Sequence, residues 1–468
     1  MNARINEMKY ISTRGQVEPI AFQQAVMMGL ADDGGLLIPQ SIPNASGRLD
    51  AWRDLPYNEL AFEVLRLFVD DIPQADLKVL VDKSYGSSYG GPVAPTVKVG
   101  DLFILELWHG PTLAFKDVAL QLLGNFFEYI LARTGGRLNI LGATSGDTGS
   151  AAIYGVRGRA AIDIFVMHPY KSVSPIQERQ MTTVLDANVH NLAVRGSFDD
   201  CQLIMKELAA ELEFKRKYSL GAVNSVNWAR VLAQIVYYFK TVFDVQKATG
   251  SASVRVTVPT GNFGDVLAGW YAMQMGLPIS QLVLATNEND ILSRFFNTGV
   301  YSKGKVVQTL SPSMDIQIAS NFERYLYYRV GCDGKRLRDL MAGFGQAGSL
   351  KIEKGSDGRV DGTITAGVGD TAGVTATIRD YHQKFDYLLD PHTAVGVNVA
   401  HQVGLGNEPM ICLATAHPAK FPAAIRQATG KDIARHPSID HLMDLPTRCA
   451  VIENDKQAIR QFIVDTIG

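Results

Sequence analysis

From residue 101 onward, short apolar runs that end in loops of Gly, Pro, Ser and Thr alternate with amphipathic stretches. Strands followed by helices in this way are typical of open α/β sheets. Three junctions stand out: Leu102 to Leu107 leads through WHGPT into a helix predicted over Phe115 to Leu131, Leu138 to Leu141 leads through GATSGDTG into SAAIYGV, and Val254 to Val258 leads through PTGNFGD into VLAGWYAMQMG. Such sheets bind ligands at the carboxyl ends of their strands, so these loops are candidate ligand sites.

The rest of the hydrophobic pattern predicts further elements. Phe22 to Leu30 and Leu60 to Val69 have helical spacing, and Val231 to Val245 is predicted as a helix whose aromatic residues lie in the core. Met410 to Leu413 is predicted as a strand that ends in ATAHPAKFP and is followed by a terminal helix. The segment Gly343 to Gly369 has no sustained period, which predicts a mobile loop or a hairpin insertion.

Composition and charge narrow the class of protein. The chain has 468 residues, of which 46% are hydrophobic and 20% charged, as expected of a globular protein of about three domains. A net charge of −2 gives no field that would attract nucleic acid or an anionic membrane, so any anion must be held by a local site. The four cysteines show no metal-ligand spacing and predict free thiols. The start shows no targeting pattern and no long apolar run follows, so we expect a cytoplasmic protein.

The PTGNFGD junction has the features of a phosphate cradle. A strand that stops in Gly261, Asn262, Phe263 and Gly264 and turns directly into a helix presents unpaired backbone amides at the positive end of the helix dipole. The loop matches neither the Walker pattern nor the dinucleotide pattern, which disfavours a nucleotide-binding enzyme. A plain tight turn is the alternative interpretation.

The GATSGDTG junction carries more polar side chains. Thr144, Ser145 and Thr148 either cap the following helix or form a nest for a carboxylate or phosphate group. Asp147 does not suit a purely anionic nest, so we expect it to face a polar ring substituent or to act as a cap.

Lys116 is the strongest candidate for a catalytic residue. It falls in the first turn of a largely buried helix, where desolvation and the positive helix end both lower the pKa of an amine. A free amine attacks aldehydes. A surface lysine is the alternative, but an amine, a phosphate cradle and a carboxylate nest together fit pyridoxal phosphate bound to lysine as a Schiff base.

The chain resembles the threonine synthase family of the longer, bacterial and fungal type, pyridoxal-phosphate enzymes of the tryptophan-synthase-β-like fold. The motifs that carry the resemblance run from residue 8 to about 422: MKYISTRG, ADDGGLLIP, WHGPTLAFKDVALQ, ATSGDTGSAA, NSVNWARVLAQIVYYF, PTGNFGD, LSPSMDIQIASNFERYLY, LDPHTAVG and ATAHPAKFP.

The resemblance and the alternation pattern together imply a fold-type-II α/β architecture, in which two open α/β domains enclose a cofactor cleft. We expect an N-terminal domain over 1–95, a smaller domain with the Schiff-base lysine and the substrate loop over 96–240, and a larger domain with the cofactor-phosphate loop over 241–468. Such a cleft is expected to close on substrate.

The resemblance also implies roles for individual residues. Lys116 would be the Schiff-base lysine, the loop from Gly261 to Gly264 with Asp265 after it would bind the cofactor phosphate, and Thr415 would place a hydroxyl beside the pyridine nitrogen. Asp147 would contact the cofactor, although many related enzymes carry Asn at this place.

The activity that the resemblance implies is that of a carbon–oxygen lyase of threonine biosynthesis, which converts O-phospho-L-homoserine and water to L-threonine and phosphate. The substrate phosphate needs a second anion site, for which the candidates are Arg14, Arg230, Lys420 and the polar side chains of Thr144, Ser145 and Thr148. Each of them is equally a structural ion pair or hydrogen bonder. His109 is expected to fix its loop.

Other interpretations stay open at this point. The same fold serves phospho-lyases and dehydratases of serine or threonine, and a homologue can keep the fold as a non-catalytic binding protein. We expect a small-molecule substrate, no metal, no nucleic-acid or membrane partner, and a monomer or homodimer.

Overall fold

The computed structural model describes residues 7–86, 89–144, 146–221 and 225–468. In these ranges the strands are β1 Tyr10–Ser12, β2 Leu37–Pro39, β3 Thr96–Val99, β4 Leu102–Glu106, β5 Leu138–Ala143, β6 Ile162–Pro169, β7 Val189–Arg195, β8 Leu220–Gly221, β9 Val254–Pro259, β10 Ile279–Thr286, β11 Val300–Ser302, β12 Ser349–Lys351, β13 Ile364–Val368, β14 Met410–Ala414 and β15 Ala450–Glu453.

The α-helices of the same ranges confirm those that the sequence pattern predicts. They are α1 Phe22–Met28, α2 Leu49–Trp52, α3 Tyr57–Leu65, α4 Gln74–Tyr85, α5 Lys116–Thr134, α6 Asp147–Val156, α7 Pro175–Thr182, α8 Phe198–Ala210, α9 Leu212–Lys217, α10 Trp228–Thr249, α11 Gly264–Gln274, α12 Ile291–Thr298, α13 Phe322–Arg329, α14 Gly334–Ala347, α15 Thr371–Phe385, α16 Pro391–Val403, α17 Pro422–Thr429, α18 Pro437–Leu442 and α19 Lys456–Ile467. Among these helices, none has the length and apolarity that a membrane crossing requires.

A six-stranded sheet in the order β13-β10-β9-β14-β4-β3 forms the larger layer. Its strands are parallel except for β3, which pairs antiparallel with β4. Every residue of β4 and β14 is buried. Because both faces of these central strands are covered, their sequences are continuous apolar runs rather than alternating patterns.

A five-stranded parallel sheet in the order β15-β7-β6-β5-β8 forms the smaller layer. The expected domain boundaries at residues 95 and 240 do not follow the two sheets. Strand β4 precedes the smaller sheet in sequence but pairs with β14 of the larger one, and β15 near the end of the chain pairs with β7. Crossover connections set strand order, so neighbours in a sheet need not be neighbours in sequence.

Helix α10 lies in the core of the molecule and is packed against other helices. Its residues Tyr237, Tyr238 and Phe239 are completely buried and belong to the largest apolar cluster. The helix packs on α3, α5 and α11. This confirms that its aromatic residues are core residues.

The N-terminal segment is joined to the rest of the molecule by specific polar contacts. The hydroxyl of Thr13 donates to Glu323 at 2.8 Å, and Arg324 donates to the carbonyl oxygen of Leu37 at 3.0 Å. Apolar residues of this segment, such as Tyr10, belong to the same core cluster as α10. The segment therefore shares its core with the two sheets.

The segment Gly343 to Gly369 is not the single loop or insertion that its irregular pattern predicts. It contains the end of α14, the strand β12, which pairs with β11, and the strand β13, which is an edge strand of the six-stranded sheet. Four of the five residues of β13 are only half-buried, so the sequence lacks the apolar run that marks a central strand.

Candidate active site

A cleft lies where β4, β5, β9 and β14 end, with one wall from each sheet. It contains a cavity of about 90 Å³ at the edge where open α/β sheets bind small molecules. The predicted residues that line it are Lys116, Asp147, Thr148, Arg230, Gly261, Asn262, Phe263, Gly264, Asp265 and Thr415. The carboxyl ends of the parallel strands thus meet at this cleft, as the sequence pattern predicts.

Lys116 is the first residue of α5, and it faces the cleft rather than bulk solvent. Only 7% of the residue is exposed, and its Nζ lies 4.8 Å from the centre of the Phe115 ring. Burial lowers the pKa of Lys116, an effect that the nearby cations of Lys420 and Arg230 reinforce and the carboxylate of Asp147 opposes. The direction of this shift favours a free amine.

Asp147 begins α6 and lies among cations. Its Oδ1 is 3.0 Å from Nζ of Lys420, and its Oδ2 is 3.7 Å from Nζ of Lys116. Gln177 donates to Oδ1 at 2.9 Å, and Ser313 donates to Oδ2 at 3.1 Å. Burial alone would raise the pKa of Asp147, but the two lysines hold it well below its usual range. The side chain is therefore an ionised carboxylate between two amines.

The loop from Gly261 to Gly264 forms a cradle at the start of α11, a helix of 11 residues. A Cβ atom at Gly261 would lie 2.8 Å from the carbonyl oxygen of Ser313, so a larger residue does not fit there. Phe263 has a φ of 64°, the left-handed conformation that turns the chain into the helix. The first amides of α11 have no intrahelical acceptors, and the first residues of this helix, Gly264 and Asp265, line the cleft.

Asp265 follows the cradle loop in α11, where it is buried and lines the cleft. Its Oδ1 accepts hydrogen bonds from the hydroxyls of Tyr237 at 2.6 Å and Tyr238 at 3.0 Å, whereas its Oδ2 has no partner among the described residues. Burial raises the pKa of Asp265 to about 6. The carboxyl is therefore half-ionised near pH 6 and mostly ionised at pH 7.

Arg230 places an unpaired guanidinium at the cleft. It lies in the first turn of α10, is 4% exposed, and its Nε and Nη1 have no hydrogen-bond partner among the described residues. Burial lowers the pKa of Arg230 to about 10, so the group is still charged at neutral pH. Because a buried unpaired charge is unfavourable, this guanidinium is suited to bind an anion that enters the cleft.

The other two basic residues considered for the substrate phosphate, Arg14 and Lys420, do not line the cleft. The guanidinium of Arg14 donates twice to Glu323, at 3.0 and 2.9 Å, and does not line the cleft. Lys420 is 1% exposed and donates to the carbonyl oxygen of Thr112 at 2.7 Å, besides its contact with Asp147. Both cations have partners of their own, and neither is among the residues that line the cleft.

The three hydroxyl side chains considered for the substrate phosphate also differ in their positions. Oγ1 of Thr144 accepts hydrogen bonds from the amides of Gly146 and Gly149, at 3.0 and 2.9 Å, which is the capping role that we considered as its alternative. Thr148 lines the cleft. Ser145 lies outside the described residues.

Thr415 follows β14 and ties two sides of the cleft together. Its carbonyl oxygen accepts the amide of Phe115 at 2.8 Å, next to Lys116, and its own amide donates to Oγ1 of Thr393 at 3.3 Å. His109 lies outside the cleft, where its Nε2 is 2.8 Å from Glu106 and its ring stacks on Trp108. These contacts hold the loop before Lys116.

Sequence reasoning missed Ser313 and His392, which also line the cleft. The amide of Ser313 donates to Nε2 of His392 at 3.2 Å, and Nδ1 of His392 lies 2.8 Å from Oδ2 of Asp390. Both residues belong to the LSPSMDIQ and LDPHTAVG motifs, but neither follows a strand that leads directly into a helix. The available signal was the polar Asp390-Pro-His cluster at the start of α16.

Together these residues fit pyridoxal phosphate. A buried amine at Lys116 suits the aldehyde, the cradle at Gly261 and Gly264 suits a phosphate group that approaches the backbone closely, and the unpaired guanidinium of Arg230 adds a second anion-binding group.

Comparison with known proteins agrees with this geometry. Residues 9–85 match the threonine synthase N-terminus model, residues 92–339 the pyridoxal-phosphate dependent enzyme model, and residues 393–463 the threonine synthase C-terminal model. A threonine synthase from Methylobacillus glycogenes is 46% identical, over 98% of this chain and 100% of that protein. One from Saccharomyces cerevisiae is 45% identical, over 90% of this chain and 88% of that protein.

The solved structures extend the likeness to the fold. The crystal structure of pyridoxal-phosphate-bound threonine synthase from Brucella melitensis superposes with a TM-score of 0.94 at 45% identity, covering 98% of this chain and 100% of that chain. This confirms the predicted fold-type-II architecture and the pyridoxal-phosphate cofactor. The chain belongs to the threonine synthase family of pyridoxal-phosphate-dependent enzymes.

Proposed function

We propose that this threonine synthase acts on O-phospho-L-homoserine, releasing phosphate from the γ carbon and adding water at the β carbon to give L-threonine. The observation that carries this choice of substrate is the guanidinium of Arg230, whose Nε and Nη1 have no hydrogen-bond partner among the described residues. The cradle at the start of α11 already suits the phosphate of the cofactor, so a second, separate cation at the same cleft suits a substrate that brings a phosphate of its own.

Lys116 is the proposed nucleophile and base. Bound pyridoxal phosphate supplies an aldehyde that condenses with amines and a conjugated ring that delocalises negative charge at the neighbouring carbon. Nζ of Lys116 would hold the cofactor and, once the substrate amine has replaced it, take and return protons at the α and β carbons. Its burial supports this role, because lowering the pKa of an amine increases the fraction that is deprotonated and able to act as nucleophile and base.

The remaining residues are proposed to bind and orient. The loop from Gly261 to Gly264 would hold the cofactor phosphate, and Asp265 would orient the base of that loop through Tyr237 and Tyr238. Thr415 would place a neutral hydroxyl at the ring nitrogen. Asp147 would remain ionised beside Lys116.

The substrate phosphate is proposed to bind Arg230 and the hydroxyl of Thr148, which both line the cleft. An arginine is suited to this task because its planar fork binds phosphate through two parallel hydrogen bonds.

Product analysis tests the proposal directly. Purified protein loaded with pyridoxal phosphate and given O-phospho-L-homoserine should release threonine and phosphate in equal amounts, and Lys116→Ala should form neither. Predominant 2-oxobutyrate would reject the proposal in favour of a phospho-lyase, and release of pyruvate from serine or of 2-oxobutyrate from threonine would favour a dehydratase. If the protein shows no Schiff-base absorbance even after cofactor is added, it would instead be a non-catalytic protein.

We further propose that the protein works in the cytoplasm as a monomer or homodimer. All four cysteines are unpaired, and Cys332 is exposed, which suits a reducing compartment. Sedimentation of the purified protein and fractionation of the source cells are the corresponding measurements.

A further inference from the structure

Two buried lysines lie on opposite sides of one carboxylate. Nζ of Lys420 is 3.0 Å from Oδ1 of Asp147, and Nζ of Lys116 is 3.7 Å from Oδ2 of the same side chain. The exposed fractions are 1% for Lys420, 4% for Asp147 and 7% for Lys116. Three buried ionisable groups are costly to assemble, so a specific use for the second lysine is to be expected.

The three groups come from different parts of the fold. Lys420 ends the 3-10 turn Pro418–Lys420 after β14, Asp147 begins α6 after β5, and Lys116 begins α5 after β4. Lys420 also donates to the carbonyl oxygen of Thr112, in the loop that leads to Lys116. It therefore contacts both the partner of Lys116 and the backbone that carries it.

The charges around Lys116 explain what Lys420 does. Asp147 of α6 attracts a proton to the amine, whereas Lys420 and Arg230 of α10 repel it. Asp117, the next residue in α5, is turned away and accepts the amide and hydroxyl of Thr112. His392 of α16 accepts the amide of Ser313, whose hydroxyl donates to Asp147, and the imidazole also acts on Asp147 through its charge. Without Lys420, the nearest charge to Lys116 would be an unbalanced carboxylate.

We propose that Lys420 is a positioning residue that neutralises Asp147 and so leaves the amine of Lys116 free to condense with an aldehyde. This inference rests on the proposed function, in which Lys116 is the nucleophile. A neighbouring cation is a known way to keep a lysine amine uncharged in a buried site. Lys420 itself does not line the cleft, so it acts through Asp147 and not by touching substrate.

The test measures the charge of Lys116 itself. The full chain, freed of cofactor, is labelled by reductive methylation across a pH series, and mass spectrometry reports the labelled fraction of Lys116. Lys420→Gln and Lys420→Met remove the cation, so the midpoint for Lys116 should rise by about one pH unit, which is about a tenfold loss of free amine below the midpoint. The rate at which added pyridoxal phosphate condenses with the protein, measured by absorbance, should fall by the same factor.

The choice of variants distinguishes the effect of the Lys420 charge on Lys116 from a general effect on folding. Lys420→Gln keeps a hydrogen-bond donor, and Lys420→Arg keeps the charge and should hold the wild-type midpoint. Lys431→Met, on the exposed surface nearby, is the matched control and should change nothing. An unchanged midpoint in Lys420→Gln, with only the thermal stability reduced, would overturn the proposal.

Two further outcomes are decisive. Asp147→Asn removes the anion, so the Lys116 midpoint should fall; an unchanged midpoint would overturn the proposal even if neither neutral Lys420 variant folded. If Lys116 labels with a low midpoint but the protein never binds pyridoxal phosphate, the proposed function fails while the inference about Lys420 stands.

Discussion

The amide of Ser313 donates a hydrogen bond of 3.2 Å to Nε2 of His392, so that the ring nitrogen of a helix residue holds the turn against which the phosphate cradle packs. Nε2 accepts here, which assigns the ring proton to Nδ1, where Oδ2 of Asp390 accepts it at 2.8 Å. The carbonyl oxygen of Ser313 in turn excludes a side chain at Gly261. His392 therefore determines the shape of the cradle without belonging to it.

His392→Ala should weaken cofactor binding. It removes the acceptor for Ser313, a loss of about 1 kcal/mol that corresponds to about a fivefold higher Kd for pyridoxal phosphate. The measurement is an absorbance titration of the cofactor-free chain. His441→Ala, an exposed histidine, is the control, and equal Kd values for both variants would show that Ser313 does not depend on His392.

Gly261→Ala should damage the cradle more severely. The added Cβ would meet the carbonyl oxygen of Ser313 at 2.8 Å, and a backbone atom cannot move aside as a flexible side chain can. We expect cofactor affinity to fall by about tenfold or more, since overpacking costs about 1–3 kcal/mol. Gly343→Ala in α14 meets nothing within 4 Å, so it should leave cofactor binding intact. Tight binding by the Gly261 variant would contradict the assignment of the cradle.

Arg230→Gln should raise the KM for O-phospho-L-homoserine. A hydrogen bond between charged groups contributes about 1.5–3 kcal/mol, so the increase should be about tenfold to a hundredfold, with cofactor absorbance retained. Arg14→Gln is the matched comparison, because Arg14 pairs with Glu323 away from the cleft and its loss should not change KM. Loss of cofactor from the Arg230 variant, rather than a higher KM, would reassign the guanidinium to the cofactor phosphate.

Asp265→Asn should change how stability depends on pH. Burial raises the pKa of Asp265 to about 6 from 3.8, so the folded cofactor-free chain binds this proton more tightly than the unfolded chain does. The contribution to stability is present below pH 3.8 and is lost as pH rises through about 6, by up to about 3 kcal/mol.

Urea unfolding at pH 4 and pH 7 measures this effect. The asparagine variant should lose less free energy of unfolding than wild type between the two pH values, because its amide does not titrate. A difference equal to that of wild type would mean that Asp265 does not carry a raised pKa.

Local sequence determined the junctions on which the site is built. Each of the three strand-to-helix loops was visible because a strand, a run of small or polar residues and a helix are contiguous and obey short-range rules. The position of Lys116 at the start of a buried helix followed from the same pattern. The three junctions together pointed to pyridoxal phosphate, and the family resemblance then supplied the expected role of Thr415, which no periodicity indicates.

Contacts between distant segments decided the rest. Whether β4 joins the smaller or the larger sheet, and whether Arg14, Arg230 or Lys420 faces the cleft unpaired, depends on partners up to 309 residues away, as the bond from Arg14 to Glu323 shows. Burial and charge pairing are properties of the packed molecule, because they arise only when separate loops meet and exclude water. The sequence therefore determined which groups are present, and the tertiary structure decided which of them are charged, paired and exposed to the cleft.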